Sequence, residues 1–518
     1  MKPLALLAAI FVISTVSRGQ LIDRTKAPNP INEGIAKSLA EQIGPGRGDW
    51  DTPGSSSFII SRDPFRAIRR GRQLFQRKFQ HVDGAPDTFY SRDGSGAIEK
   101  NLGIGAGLAD GCASCHGRPR GSAGFGGDVA TRPDSRDAPH LFGLGLKEML
   151  ADEITAELRD RRAEALAAAK SSGAAVTVDA SAKGISYGVI TAKPDGSVDT
   201  AKLEGVDPDL RVRPFFAHGG TVSIREFISG ALNNEMGFQA IDKELTDAVA
   251  KRTNFTTVAG MVLDAAADSL EPPPDPDPSV VPVGQPAKNS INTAVVDYLE
   301  FYLLNYFKPG LYEQTASVQR GRQSFEQTGC AGCHVPDLLI ERDRRVADVE
   351  TVYDAARGHF NHLFATATPL FNTVDGRKIP KLQPFLVKNI YTDFKRHDLG
   401  PNFYERNYDG STQKQFLTTA LWGVGSTAPY GHDGRTTNLN EVILWHGGEA
   451  QAARDRYAAL GENARTDIQE FLRSLVLFPP DDTASNLDPG DRAAEGFPQK
   501  GHGSIKLGVL FNNPADPE

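Results

Sequence analysis

Cysteine is scarce in this chain of 518 residues: there are four, and all four fall in two short clusters. Methionine is as rare; beyond the initiator only Met149, Met236 and Met261 remain, and none follows the proline-rich stretch 271–278. No basic arm or arginine cluster stands out, so nothing points to a nucleic-acid partner. The net charge of -8 is mild and at most favours a basic partner. Past the first twenty residues no run is apolar enough to cross a bilayer. What is left, 39% hydrophobic and 24% charged residues, suits a globular chain long enough for two or three cores.

Residues 1–20 read as an export signal. Lys2 supplies the positive start, Leu4 through Val16 is almost unbroken apolar sequence, and Ser17 and Gly19 follow. The run is short for a membrane span, which makes a retained anchor the lesser alternative. No cysteine follows it, so lipid attachment there is excluded. The expectation is a periplasmic protein with no membrane span once the signal is removed.

The four cysteines carry the chemistry. They stand as Cys112-Ala-Ser-Cys115-His116 and Cys330-Ala-Gly-Cys333-His334. Two thiols two residues apart match the two vinyl groups of one porphyrin, and the next histidine then lies under the iron as proximal ligand. The pattern predicts two covalently attached haem c groups. Disulfides or a zinc site are the rival readings. Neither explains a histidine in the same place twice.

Glu271-Pro-Pro-Pro-Asp-Pro-Asp-Pro278 reads as a stiff linker, with 271–286 dividing an N-terminal domain (21–270) from a C-terminal one (287–480). The halves echo each other. Arg70-Gly71-Arg72-Gln73-Leu74-Phe75 resembles Arg320-Gly321-Arg322-Gln323-Ser324-Phe325. His218-Gly219-Gly220 with Ile224-Arg225-Glu226-Phe227 resembles His432-Asp433-Gly434 with Leu439-Asn440-Glu441-Val442. The expected fold is mainly α: two cytochrome-c-like haem domains, with a partly β or irregular insertion at about 150–210 in the first. Ile291, Val295, Leu299 and Tyr302 share a helix face that Pro309 ends, and Ile468, Phe471, Leu472 and Leu475 share another behind Thr466 as N-cap. Lys147 to about Ser171 predicts an exposed amphipathic helix, 173–207 a decorative β-rich insertion, and 481–518 an irregular tail.

An iron with strong ligands on both faces carries electrons, whereas one with an open face can bind peroxide or oxygen. The second half has no methionine for its haem, but it offers His359, His362, His397, His432 and His446.

The runs Ala428-Pro429-Tyr430-Gly431-His432-Asp433-Gly434-Arg435 and Leu444-Trp445-His446-Gly447-Gly448-Glu449-Ala450 resemble bacterial di-haem cytochrome c peroxidases and MauG. They are closer still to the di-haem oxidoreductases described as peroxidases or thiol oxidoreductases. Arg136-Asp137-Ala138-Pro139, Gly143-Leu144-Gly145-Leu146 and Leu232-Asn233-Asn234-Glu235-Met236-Gly237 fit the same group. The likeness covers roughly residues 65–150 and 210–478.

The resemblance implies that the N-terminal haem is catalytic, with Glu235 moving protons as the peroxide bond breaks. A solvated helix glutamate is the plainer alternative. It implies His446 as distal ligand of a C-terminal electron-transfer haem, with His432 a hydrogen-bonding neighbour or second choice; a surface histidine is the plainer reading. Members commonly use methionine there, or tyrosine in MauG, and bis-histidine ligation lowers the potential. They often place a removable histidine on the first haem, yet Gly121–Ser135 has none, so that iron is expected open unless His140 or His218 fills it. Asp137, Thr427 and Pro429 match calcium-binding positions of the group; a turn without metal is the alternative.

The implied reaction is reduction of hydrogen peroxide with electrons from a small redox protein such as a c-type cytochrome. The alternatives are a MauG-like protein oxidase, an oxygenase using dioxygen like the haem rubber oxygenases, and a non-enzymatic electron carrier. Phe215, Phe216, Trp422 and Trp445 are candidates to assist electron transfer, and the group commonly forms homodimers.

Overall fold

Two helix crossings organise the protein, and a glycine makes each possible. In the first half α3 (Pro64–Gln76) crosses α8 (Thr293–Leu304), where a Cβ on Gly71 would stand 2.2 Å from the Tyr298 carbonyl oxygen. In the second, α9 (Ala316–Gln327) crosses α12 (Glu462–Ser474), where a Cβ on Gly321 would stand 1.9 Å from the Asp467 carbonyl oxygen. Backbone to backbone, nothing larger than glycine fits. The repeated Arg-Gly-Arg-Gln stretch is thus a packing motif.

The computed structural model describes residues 37–79, 111–116, 138–236, 238–240, 242–271, 290–353, 363–407 and 410–477. The export signal, Asp137, the Gly121–Ser135 stretch, most of the proline-rich segment, His359, His362 and the tail lie outside them.

The remaining helices are α1 (Leu39–Ile43), α2 (Ser56–Arg62), α4 (Cys112–Cys115), α5 (Leu144–Ser172), α6 (Ile224–Asn234), α7 (Lys243–Val249), α10 (Leu439–Trp445) and α11 (Gln451–Ala458). Small sheets, mostly two-stranded, are interleaved with them, many within residues 338–417. The fold is mixed α/β rather than mainly α. The strands within 338–417 are two to seven residues long, too short for periodicity to announce most of them. No helix among the described residues is long and apolar enough to cross a membrane.

Helix α8 follows the proline-rich segment, yet its Val295, Tyr298, Leu299 and Tyr302 sit in one core with Ile68, Leu74 and Phe75 of α3 and Ile224 and Leu232 of α6. It is buried on all sides from Ala294 to Leu304 rather than on one stripe. By packing it is the closing helix of the first half, as α12 is of the second. Buried Arg225 on α6 fastens it, reaching Asp297 at 2.9 Å and Glu300 at 2.8 Å on α8 and also Asp242, the N-cap of α7. Removing one partner of so buried an ion group costs about 3–5 kcal/mol.

Three sequence expectations change. Helix α12 begins at Glu462, with Gly461 extended before it (φ −62°, ψ 157°), so Thr466 is interior and not a cap. Helix α5 is exposed only towards its C-terminal end; Leu146, Leu150, Ile154 and Leu158 are buried against Leu338, Ile340, Ile390 and Trp422 of the other half. The three-stranded sheet of β1 (Val176–Ala182), β2 (Ile185–Ala192) and β3 (Val198–Asp199) is not decorative. Buried Tyr187 donates to the Asp393 carbonyl at 2.8 Å, and Lys395 Nζ donates to the Ser186 carbonyl and to Glu204, both at 3.0 Å.

Candidate functional site

In the first half α3 brings Phe75 beside the His116 ring, with centroids 6.2 Å apart, directly after the turn formed by Cys112–Cys115. Cys112, Cys115 and His116 line one pocket. Phe227, Ile228, Leu232, Leu299 and Leu303 make its wall apolar, and Glu235 and Met236 complete it. Both arrive at the end of α6: Glu235 is its C-cap, its backbone N–H donating to the Ala231 carbonyl at 3.0 Å.

His116 Nδ1–H donates to the Pro139 carbonyl at 2.8 Å, which leaves Nε2 as the atom free to ligate. Burial lowers the His116 pKa, and the neutral ring is the form that binds metal. Burial also pushes the Cys112 thiol up to about 12, which disfavours the thiolate that zinc requires. None of the four cysteines is in a disulfide. Among the described residues the four do not converge: the metal-competent group found is Cys333 with Asp393 and His397. Thiols paired beside a pinned histidine and an apolar cavity fit a covalently held porphyrin.

The second half repeats the plan. Phe325 of α9 packs on His334 with centroids 6.0 Å apart, and His334 Nδ1–H donates to the Tyr391 carbonyl at 3.0 Å. Burial takes its pKa to about 4, with His446 near enough to lower it further. His446 follows α10, and its Nδ1–H donates to the Val442 carbonyl at 2.9 Å, so Nε2 is again the free nitrogen. Phe403 meets its ring edge-on at 5.1 Å. His432 is engaged differently: its Nε2 lies 3.0 Å from Glu405 and its ring stacks on Phe416 at 4.5 Å. That geometry fits a supporting residue better than a ligand.

Backbone features align the halves by a constant step of 215 residues. The Phe215–Thr221 bridge matches Tyr430–Thr436, left-handed Gly219 (φ 68°) matches Gly434 (φ 66°), and the N-cap Ser223 matches Asn438. This register puts His218 opposite Asp433, one place away from the pairing suggested by the His-Gly-Gly and His-Asp-Gly echo. It also puts Ala231, on the cavity wall, opposite His446. Neither His140 nor His218 is among the residues lining the cavity. Thr427 and Pro429 lie on the turn after Val424–Ser426, while Asp137, the third calcium position, is outside the described residues.

One group was not foreseen. His397 is held between Asp393 (2.9 Å, Nε2) and Glu449 (2.6 Å, Nδ1), beside Cys333. Burial opposes its charge, but hydrogen bonds to Asp393, Cys333 and Glu449 raise its pKa to about 11. It clamps the turn after His446 to the strand beyond Tyr391. The i,i+4 spacing of Asp393 and His397 is the one trace of it in sequence.

No curated protein shows significant sequence similarity to the chain. A solved structure of Kuenenia stuttgartiensis hydrazine synthase, pressurised with xenon, is similar over 36% of this chain at 14% identity and a TM-score of 0.22. The chain spans about 56% of that structure's length. Residues 338–475, which include Tyr391, His397, His432 and His446, match the family profile "Di-haem oxidoreductase, putative peroxidase", and in this region the chain is similar to di-haem oxidoreductases.

Proposed function

We propose that this is a periplasmic oxidoreductase with two covalently attached haem c groups, which reduces hydrogen peroxide at the first site with electrons received through the second. One observation carries the reading: the position that holds His446 in the second half holds Ala231 in the first, on the wall of a cavity that also contains Glu235. Cys112 and Cys115 would bond the first porphyrin and His116 would ligate its iron; Cys330, Cys333, His334 and His446 would serve the second. A haem supplies an iron that exchanges electrons and, where a face is open, binds an oxygen ligand.

The chain's own residues do the rest. Reduction of one peroxide takes two electrons and two protons and gives two waters, the O–O bond being broken. Glu235 accepts the proton of one peroxide oxygen and returns it to the other, so that the departing oxygen leaves as water. The apolar wall of Phe227, Ile228 and Leu303 excludes bulk water from that exchange. The Pro139 carbonyl fixes the His116 ring. A small one-electron carrier, such as a c-type cytochrome, supplies the electrons one at a time.

Stopped-flow mixing of the purified haem protein with peroxide tests the reading. The first haem should change before the second, and Glu235→Gln should slow turnover by about 100-fold with two haems still bound. Full activity in that variant would remove Glu235 from the mechanism.

Met236 supports a second reading, because it lines the same cavity and its thioether is a haem ligand. Ligation there would make both irons six-coordinate and the protein an electron carrier. Carbon monoxide binding to the reduced protein decides: uptake by one haem supports the peroxidase, and no uptake supports the carrier.

A further inference from the structure

Among the described residues that line the first cavity, Glu235 is the one carboxylate, and the backbone that carries it is closed on itself. Helix α6 ends at Asn234, and the chain returns to the short strand Gln239–Ala240. Two backbone bonds shape the turn. Glu235 N–H donates to the Ala231 carbonyl at 3.0 Å, and Phe238 N–H donates to the Leu232 carbonyl at 2.9 Å. One side chain then ties its two ends together: Asn233 Nδ2 donates to the Phe238 carbonyl at 3.0 Å. Glu235 lies between the two residues so joined.

We infer that Asn233 is a positioning residue for Glu235, holding that carboxylate in the cavity by fixing the turn that bears it. The inference rests on the reading above of Glu235 as the group that takes and returns a proton.

Three observations favour this role over ordinary packing. The Asn233 side chain is 1% exposed, and the Phe238 carbonyl can only accept, which sets Nδ2 towards it. Oδ1 is then buried with no hydrogen-bond partner among the described residues. A leucine of similar size would avoid that penalty, so the amide is a poor choice for the core alone. Second, the far end of the tie is itself anchored. Buried Phe238 meets Phe79 edge-on with ring centroids 5.2 Å apart, and Gln239 and Ala240 pair in parallel with Ser290 and Ile291 ahead of α8. Third, the tie belongs to the Glu235 side alone. The step of 215 residues that aligns the halves puts Gly448, which has no side chain, opposite Asn233.

The test is the rate at which hydrogen cyanide binds the ferric first haem of the purified di-haem protein, which needs no peroxide turnover. Its H–C bond breaks, the proton passes to the Glu235 carboxylate, the carbon bonds the iron, and nothing is oxidised or reduced. Glu235→Gln should slow binding by about 100-fold. Asn233→Leu should slow it by about tenfold, with two haems still bound. Carbon monoxide brings no proton, so its binding to the reduced first haem should keep its rate in both variants. Asn233→Gln retains the amide donor and should recover most of the cyanide rate, and Asn233→Ala replaces Asn233→Leu if leucine disturbs folding. The double variant Asn233→Leu with Glu235→Gln should be no slower than Glu235→Gln alone, because the first residue acts through the second. An unaltered cyanide rate in Asn233→Leu or Asn233→Ala beside a slow Glu235→Gln would overturn the positioning role and keep Glu235. Equal slowing of carbon monoxide and cyanide would overturn it too, as a general disturbance of the cavity. An unaltered rate in Glu235→Gln would remove the proton-moving carboxylate itself, and this inference with it.

Discussion

The two halves hold their histidines in the same way and differ in what faces them. In each, a glycine lets one helix cross the closing helix backbone to backbone, and a phenylalanine four residues later rests on the histidine of the Cys-x-x-Cys-His run. In each, that histidine gives its Nδ1 proton to a backbone carbonyl, of Pro139 in one half and Tyr391 in the other. The distal sides diverge. Helix α10 stops at Trp445 and delivers His446, whereas α6 places Ala231 at the matching step and runs on one turn to present Glu235 and Met236. A duplicated frame can thus host two chemistries if the holding parts stay alike and one helix changes length and one side chain.

The sharpest way to break that contrast is to remove it. Ala231→His should give the first iron a second strong ligand. We expect a low-spin first haem, no carbon monoxide uptake and a loss of peroxide turnover of about 100-fold. A variant that stays high-spin and active would show that the two distal sides are not equivalent in geometry. His446→Ala is the converse, and should open the second iron to carbon monoxide.

Next in size is a difference on the second side alone, the His397 clamp. Its pKa of about 11 lies above the ordinary histidine value of 6.5, so protonation stabilises the folded form. That contribution is complete below the unfolded value and is lost as pH rises towards 11. Replacement by Gln leaves Asp393 buried without its cation, which should cost about 3 kcal/mol near neutral pH. The gap between wild type and His397→Gln in denaturant midpoint should be widest at about pH 6 and narrow by about pH 9. A gap independent of pH would show that His397 is not charged in the native protein.

The frame itself was partly legible. The proposed haem attachment would draw on residues that stand side by side, so both Cys-x-x-Cys-His runs stand out in the chain, and Gly71 and Gly321 show as an echo. Other features arise only when distant segments meet. Asp393 and His397 meet Cys333, and Glu449 reaches His397 from a separate element. Helix α8 joins the first core from beyond the proline-rich segment, because Gly71 offers it the closest approach and Arg225 binds its carboxylates. His218 resembled His432 in letters, yet the bridge and glycine geometry set it one step away. His446 and Glu235 could be singled out only through a family likeness, since one histidine or glutamate in a helix carries no signal of its own.

The shared glycines allow a like-for-like comparison of smaller size. Gly71→Ala and Gly321→Ala each put a methyl group within 2.2 Å and 1.9 Å of a backbone oxygen, so the crossing helices must move apart. Each should cost about 1–3 kcal/mol, read from the denaturant midpoint. Gly71→Ala should disturb the first haem's spectrum and Gly321→Ala the second's. If either change affects both spectra equally, the halves respond as one unit.

The smallest effect belongs to the three-stranded sheet of the first half. Tyr187, on β2, lends its hydroxyl to the Asp393 carbonyl at 2.8 Å, two residues beyond the carbonyl that orients His334. Tyr187→Phe keeps the packing and leaves that buried oxygen unpaired, which should cost about 1 kcal/mol. Because Asp393 also holds His397, the loss should appear as a small shift in the second haem's potential, with the first unmoved. If the hydroxyl only anchors the sheet, stability falls by the same amount and neither potential changes. The two outcomes separate a β-sheet that merely docks on the second site from one that tunes it.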